Sequence, residues 1–155
     1  MAVITSTLGE GAQQAAGAAL QTVLVDLVDL SLVAKQAHWN VVGPRFRAIH
    51  LQLDELVDTA RTFSDTVAER AVTLGVAPDG RASTLTGSVL AEHPAGWVDD
   101  ESVVDWFVEA LGAVIQRLRD QMAEVEKVDL VTQDLLIQIT AELEKARWMF
   151  QAERA

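Results

Sequence analysis

The chain contains no cysteine, only three prolines, and no lysine or arginine before Lys35. Each scarcity excludes something. Without cysteine there are no disulfides, no thiolate metal sites and no cysteine nucleophile. That is compatible with a reducing cytoplasm, which is the expected location. With 12 basic against 23 acidic residues the formal charge is −11 at pH 7. Such a balance argues against a nucleic-acid surface, which needs Lys and Arg to meet phosphates. The acidity has two readings: simple solubility, or an acidic surface or cavity that concentrates cations. No uninterrupted apolar run is long enough to cross a bilayer; the best candidate, Leu20 to Ala34, is broken by Asp26 and Asp29. The start, Met1 to Ser6, has no basic segment followed by a long apolar one, so no signal peptide is expected. Strand alternation, internal repeats and low-complexity tracts are also missing.

What is present is helical periodicity. Half of the 155 residues are apolar, enough for one domain around one core. Residues 1–10 read as a flexible tail, 11–152 as a single helical domain and 153–155 as its end. In the first helix, to about Asn40, Leu20, Leu24, Leu27, Ser31, Ala34 and His38 recur at steps of three and four. Gly43-Pro44 stops it. A second helix is expected from Phe46 to Leu74, with Ile49, Leu53, Leu56, Ala60, Phe63 and Val67 inward and Gly75 as its cap. Pro78 and Pro94 mark a long crossover over 76–100, with a short helix expected near Ser83–Glu92. A third helix starts near Asp99–Ser102 and runs to about Glu126. Asp129 caps a fourth, to about Ala152, with Leu135, Leu136, Ile139, Leu143 and Trp148 inward. The fold class is therefore all-α: a four-helix bundle with one long crossover, the plan of ferritin-like folds. No Glu-x-x-His motif lies on these helices, so the bundle core is expected to be apolar and any metal site to lie elsewhere.

The second helix carries the chemistry. His50 and Asp54 are four residues apart, as are Asp65 and Glu69, and all four fall on one stripe. Yet Asp54 and Asp65 lie roughly 16 Å apart along the axis, whereas metal–ligand bonds are about 2 Å. One helix cannot bring both pairs to one ion. A two-fold axis can. Against an antiparallel copy, crossing midway between Asp54 and Asp65, His50 and Asp54 of one chain face Glu69 and Asp65 of the other. Two equivalent metal sites result, each present only in the assembled protein.

The stretch Lys35 to Gly75 resembles the Dps proteins, the mini-ferritins known as DNA-binding proteins from starved cells. It carries His38-Trp39-Asn40, Gly43, Phe46, His50 with Asp54, and Asp65 leading into Ala68-Glu69-Arg70. Gln133-Asp134-Leu135-Leu136 and Leu143-Glu144-Lys145 with Trp148 extend the similarity over almost the whole chain. The resemblance implies a shell of twelve identical subunits built from two-fold dimers. It also implies Fe(II) oxidation by hydrogen peroxide and ferric mineral stored inside. Carried over residue by residue, it makes His38, His50 and Asp54 iron ligands from one subunit, and Asp65 and Glu69 ligands from its mate. Mixed imidazole and carboxylate donors suit Fe(II).

Around that set lie weaker candidates. Trp39 is either a radical-absorbing neighbour or packing at the dimer interface. Lys35 and Arg70 either orient the site carboxylates or stand exposed. Asp120, Glu124 and Glu126 are candidates for an acidic iron-entry pore, although Arg117 and Arg119 lie among them. His93, beside Pro94, reads as an ordinary loop histidine. Two other functions compete. Nucleoid binding is disfavoured because Met1 to Gly17 has no basic residue and only Arg154 is basic after Phe150. Amide hydrolysis of N-acyl amino acids at the same iron site is conceivable, because such a metal polarises carbonyls and activates water.

Overall fold

The structure, a computed structural model, describes residues 4–154. Four long helices form the bundle: α1 (Glu10–Asn40), α2 (Phe46–Thr73), α3 (Asp100–Val125) and α4 (Leu130–Ala152). α1 packs along α2 and α3 along α4, and a long crossover joins the two hairpins. The expected stripe of α1 is buried throughout, from Leu20 to His38. By length and composition α1 would suffice to span a bilayer, but in the fold it is a core helix. Its apolar face meets Ile49 and Leu53 of α2, Leu111 and Leu118 of α3, and Leu136 and Ile139 of α4 in one core. At one end the Phe107 and Phe150 rings stack at 5.4 Å.

Local chemistry sets the helix ends. The Asp99 side chain accepts the Ser102 N–H at 2.9 Å to start α3, and Asp129 does the same for Thr132 at the start of α4. α2 stops at Gly75, whose φ of 76° is left-handed. Gly75 N–H bonds Val72 O at 2.8 Å and Val76 N–H bonds Ala71 O at 2.9 Å, the paired bonds of a Schellman cap.

Several expectations change. The short helix expected at Ser83–Glu92 is a 3-10 turn at Ala82–Gly87. The crossover is pinned by polar contacts instead: Gln21 exchanges two 2.8 Å hydrogen bonds with the Asp79 backbone. Asp26, read above only as a break in an apolar run, is buried. It accepts from Val89 N–H at 2.9 Å and from Arg117 at 3.0 Å. No strand was expected, but Val41–Val42 (β1) pairs in parallel with Val98–Asp99 (β2), tying the α1–α2 turn to the start of α3. Trp148 does not point inward; it is 63% exposed, and Phe150 takes the core position. In the N-terminal segment, residues 1–3 lie outside the described residues. From there Leu8 packs against the core, and the Ile4 carbonyl sits 2.9 Å from where a Cβ on Gly75 would stand.

Candidate metal centre

The last turn of α1 and the first turns of α2 are held together by their histidines. His38 Nδ1 lies 2.8 Å from His50 O, and His50 Nδ1 lies 2.8 Å from His38 O. A carbonyl only accepts, so each Nδ1 carries the proton and donates it. In the neutral tautomer with that donor, Nε2 keeps a lone pair, the form that binds a metal. The rings stack with centroids 3.6 Å apart, inclined by 19°. His38 is buried and His50 half-buried, with Phe46 packed against the His50 ring at 5.0 Å. His38 O belongs to the last turn of α1, where carbonyls lack helical partners. The His50 ring supplies one.

Asp54 stands one turn further along α2. Its Oδ1 accepts a hydrogen bond from Lys35 and lies 3.4 Å from His38 Nδ1. The Lys35 ammonium, above all through that hydrogen bond, holds the carboxyl below the usual aspartate range. The side chain is 42% exposed, so a carboxylate faces outward beside the two imidazoles. Trp39, next to His38 in sequence, is 66% exposed.

The turn between the helices sets this arrangement. Gly43 has φ 130°, and a Cβ there would fall 2.8 Å from the buried Asp100 carboxylate. That carboxylate accepts the Arg45 N–H at 2.6 Å. The sequence marked the turn through Gly43-Pro44; its anchoring to α3 by Asp100 had no local signal.

Asp65 and Glu69 are exposed on the far half of α2. Among the described residues no group of three or more His, Asp or Glu side chains gathers within one chain to hold a metal. Of the expected set, His38 and His50 stack on one another with Asp54 3.4 Å from His38 Nδ1, while Asp65 and Glu69 stand apart on the far half of α2. Arg70 turns away from both. It bonds Asp129 at 2.6 Å and Thr132 at 3.3 Å, fastening α2 to the start of α4.

The candidate pore residues Asp120, Glu124 and Glu126 are all exposed near the end of α3. The arginines among them are already engaged. Arg117 bonds buried Asp26 and the Gly87 carbonyl, each at 3.0 Å, and Arg119 bonds Glu144. Neither stands as a free positive charge beside the three acids.

Comparison with known proteins agrees with this architecture. The ferritin-like domain family matches residues 17–154. DNA protection during starvation protein 2 of Deinococcus radiodurans is 39% identical over 135 residues, covering 86% of this chain and 56% of that relative. The chain thus spans little more than half of that protein. DNA protection during starvation protein of Mycolicibacterium smegmatis is 39% identical over 141 residues, covering 86% of this chain and 73% of the relative. Among solved structures, the tetragonal form of Mycobacterium smegmatis Dps superposes with a TM-score of 0.93 at 31% identity, covering 99% of this chain and 93% of the other. Dps from Microbacterium arborescens, in a high iron form, gives 0.91 at 34% identity, with 96% and 97% covered. The family match over the domain, the relatives and the shared fold establish that the chain belongs to the Dps family of ferritin-like proteins.

Proposed function

We propose that this protein is an iron-storing mini-ferritin. It oxidises Fe(II), preferably with hydrogen peroxide, at centres shared between two subunits, and keeps the ferric product inside a shell of twelve. The observation that carries this reading is the stacked pair of imidazoles, each tied through Nδ1 to the other's backbone carbonyl, with the Asp54 carboxylate beside them. Asp65 and Glu69 supply the missing oxygen donors from the partner through the two-fold relation of α2. Two nitrogens and three carboxylates are borderline-to-hard donors that suit Fe(II), and they leave coordination positions for the oxidant.

Each Fe(II) substrate gives up one electron, and two together reduce one peroxide. The O–O bond breaks, two protons are taken up, and two waters form. No single-electron step then releases a hydroxyl radical. Lys35 neutralises Asp54 while the centre awaits its substrate. Trp39 packs at the dimer interface. Asp120, Glu124 and Glu126, freed of competition from Arg117 and Arg119, draw cations toward the interior. The cytoplasm is the setting that this chemistry fits.

Relatives carry the name DNA protection during starvation protein. For this chain the protection follows from removing iron and peroxide, not from binding the duplex. The charge is −11, a balance that opposes phosphates. A gel shift at neutral pH and physiological salt is expected to show no complex. For the oxidation itself, metal-free protein receives Fe(II) anaerobically and then peroxide. Consumption of about two iron per peroxide is expected from the electron balance; about one per peroxide would refute it.

A further inference from the structure

Two more charged residues share the stripe of α2 that carries the half-sites, and the proposed chemistry uses neither. Asp58 and Arg61 are exposed. The ion pairs that α2 makes among the described residues involve Asp54 and Arg70, not these two. At 100° per residue, His50, Asp54, Asp58, Arg61, Asp65 and Glu69 all fall within an arc of about 100°.

In an antiparallel pair of identical helices, residues facing one another have numbers with a constant sum. Setting Asp54 opposite the partner's Asp65 fixes that sum. The same register sets His50 opposite the partner's Glu69 and Asp58 opposite the partner's Arg61. It also sets Leu51, 45% exposed in the single chain, opposite the partner's Ala68. The register also sets Val72, 39% exposed, opposite the partner's Arg47, whose alkyl stem can cover an apolar surface. In this one alignment Asp58 meets an opposite charge and Leu51 an apolar position, while the like-charged Asp54 and Asp65 face one another as donors for the proposed cation.

We propose that Asp58 and Arg61 are positioning residues: reciprocal ion pairs between them across the two-fold axis set the register that assembles the metal centres. This rests on the inter-subunit reading above. Along the helix Asp58 stands about 2 Å from the axis, Asp54 about 8 Å and His50 about 14 Å. The two ion pairs lie side by side at the crossing point, between the two centres. A slip of one turn in one direction sets Asp58 against the partner's Asp65 and Asp54 against the partner's Glu69, like charges in both cases. A slip in the other direction puts the partner's Arg61 on Asp54, where the metal belongs. The central register pairs Asp58 with the partner's Arg61 and leaves His50, Asp54, Asp65 and Glu69 facing one another for a cation.

The test is a charge swap in the full chain: Asp58→Arg, Arg61→Asp, and both together. Both side chains are exposed, so circular dichroism is expected to show unchanged helicity. Solution mass reports assembly, and the visible spectrum of added cobalt(II) reports the centre itself. Each single variant is expected to weaken assembly and cobalt binding by more than about tenfold, and the double variant to restore both. Single variants that match the parent, or a double variant no better than the singles, would overturn the proposal. The two readings fail separately. If the parent binds no cobalt yet assembly follows the charge swap, the iron centre is wrong and the ion pairs stand. If the parent binds cobalt and all three variants equal it, the centre stands and the ion pairs are wrong.

Discussion

Replacing Gly43 with alanine tests how the fold holds the candidate centre. The backbone there has φ 130°, a region closed to residues with a Cβ, and holding alanine in it costs about 1–3 kcal/mol. The new Cβ would also stand 2.8 Å from Asp100 Cγ and Oδ2. Asp100 is buried and bonded to the Arg45 N–H, so it has little room to retreat; overpacking adds about 1–3 kcal/mol. The sum is about 4 kcal/mol, or a fall in Tm of roughly 8–16 °C for a chain of this size. Denaturant titrations of parent and Gly43→Ala at equal protein concentration measure it, since self-association raises apparent stability. Because the turn joins the His38 end of α1 to the start of α2, metal affinity is expected to fall as well. Removing Asp100 in the Gly43→Ala background is expected to cost less than removing it from the parent, because the clash has gone. A loss below about 1 kcal/mol for Gly43→Ala would refute the strain argument.

Lys35→Met is expected to let the Asp54 pKa rise toward its ordinary value of 3.8, followed by carbon NMR of the carboxyl. Because that pKa is depressed in the folded chain, its stabilising effect is present at neutral pH and is lost as pH falls through the depressed value. An unchanged titration would show that Lys35 does not govern Asp54. His93 behaves oppositely to a surface histidine. Packed edge-on against Trp106 at 5.0 Å with its Nε2 unpartnered, it has a pKa pushed below 6.5 by burial. The unfolded chain takes the proton first, so stability is expected to fall as pH drops through 6.5 toward the folded value and to level off below it. In His93→Gln that portion of the pH dependence disappears; a variant with the parent's slope would contradict the assignment.

Much of the fold was legible because apolar period and capping act locally. The stripe of α1, the acidic start of α3 near Asp99, the Asp129 cap and the Gly75 stop all depend on neighbours within a turn. Trp148 was misplaced although the period speaks against it: seven residues on from Leu143, Phe150 returns to the same face, whereas Trp148 lies about 140° away. The partners of Asp26, Arg70 and Asp100 were hidden for a different reason. Arg117 is 91 residues from Asp26, Asp129 is 59 from Arg70, and Asp100 is 55 from Arg45. Such pairs are created by helix packing and leave no local pattern. Arg70 shows the consequence: its place beside Glu69 suggested a role at the centre, while packing sends it to α4. The candidate ligands themselves stood out through spacing, but the reciprocal bonds that orient His38 and His50 depend on how α1 meets α2.

Complementation between two crippled subunits tests the shared centre most directly. One variant loses His50 and Asp54, the other Asp65 and Glu69, and each alone is expected to oxidise no Fe(II) above buffer. When the two are unfolded, mixed in equal amounts and refolded together, half of the dimers combine both types. Each such dimer carries one intact centre and one doubly damaged one. Activity of about one quarter of the parent is therefore expected. A mixture as inactive as its components, with mixed dimers confirmed by mass, would contradict a centre built from two chains.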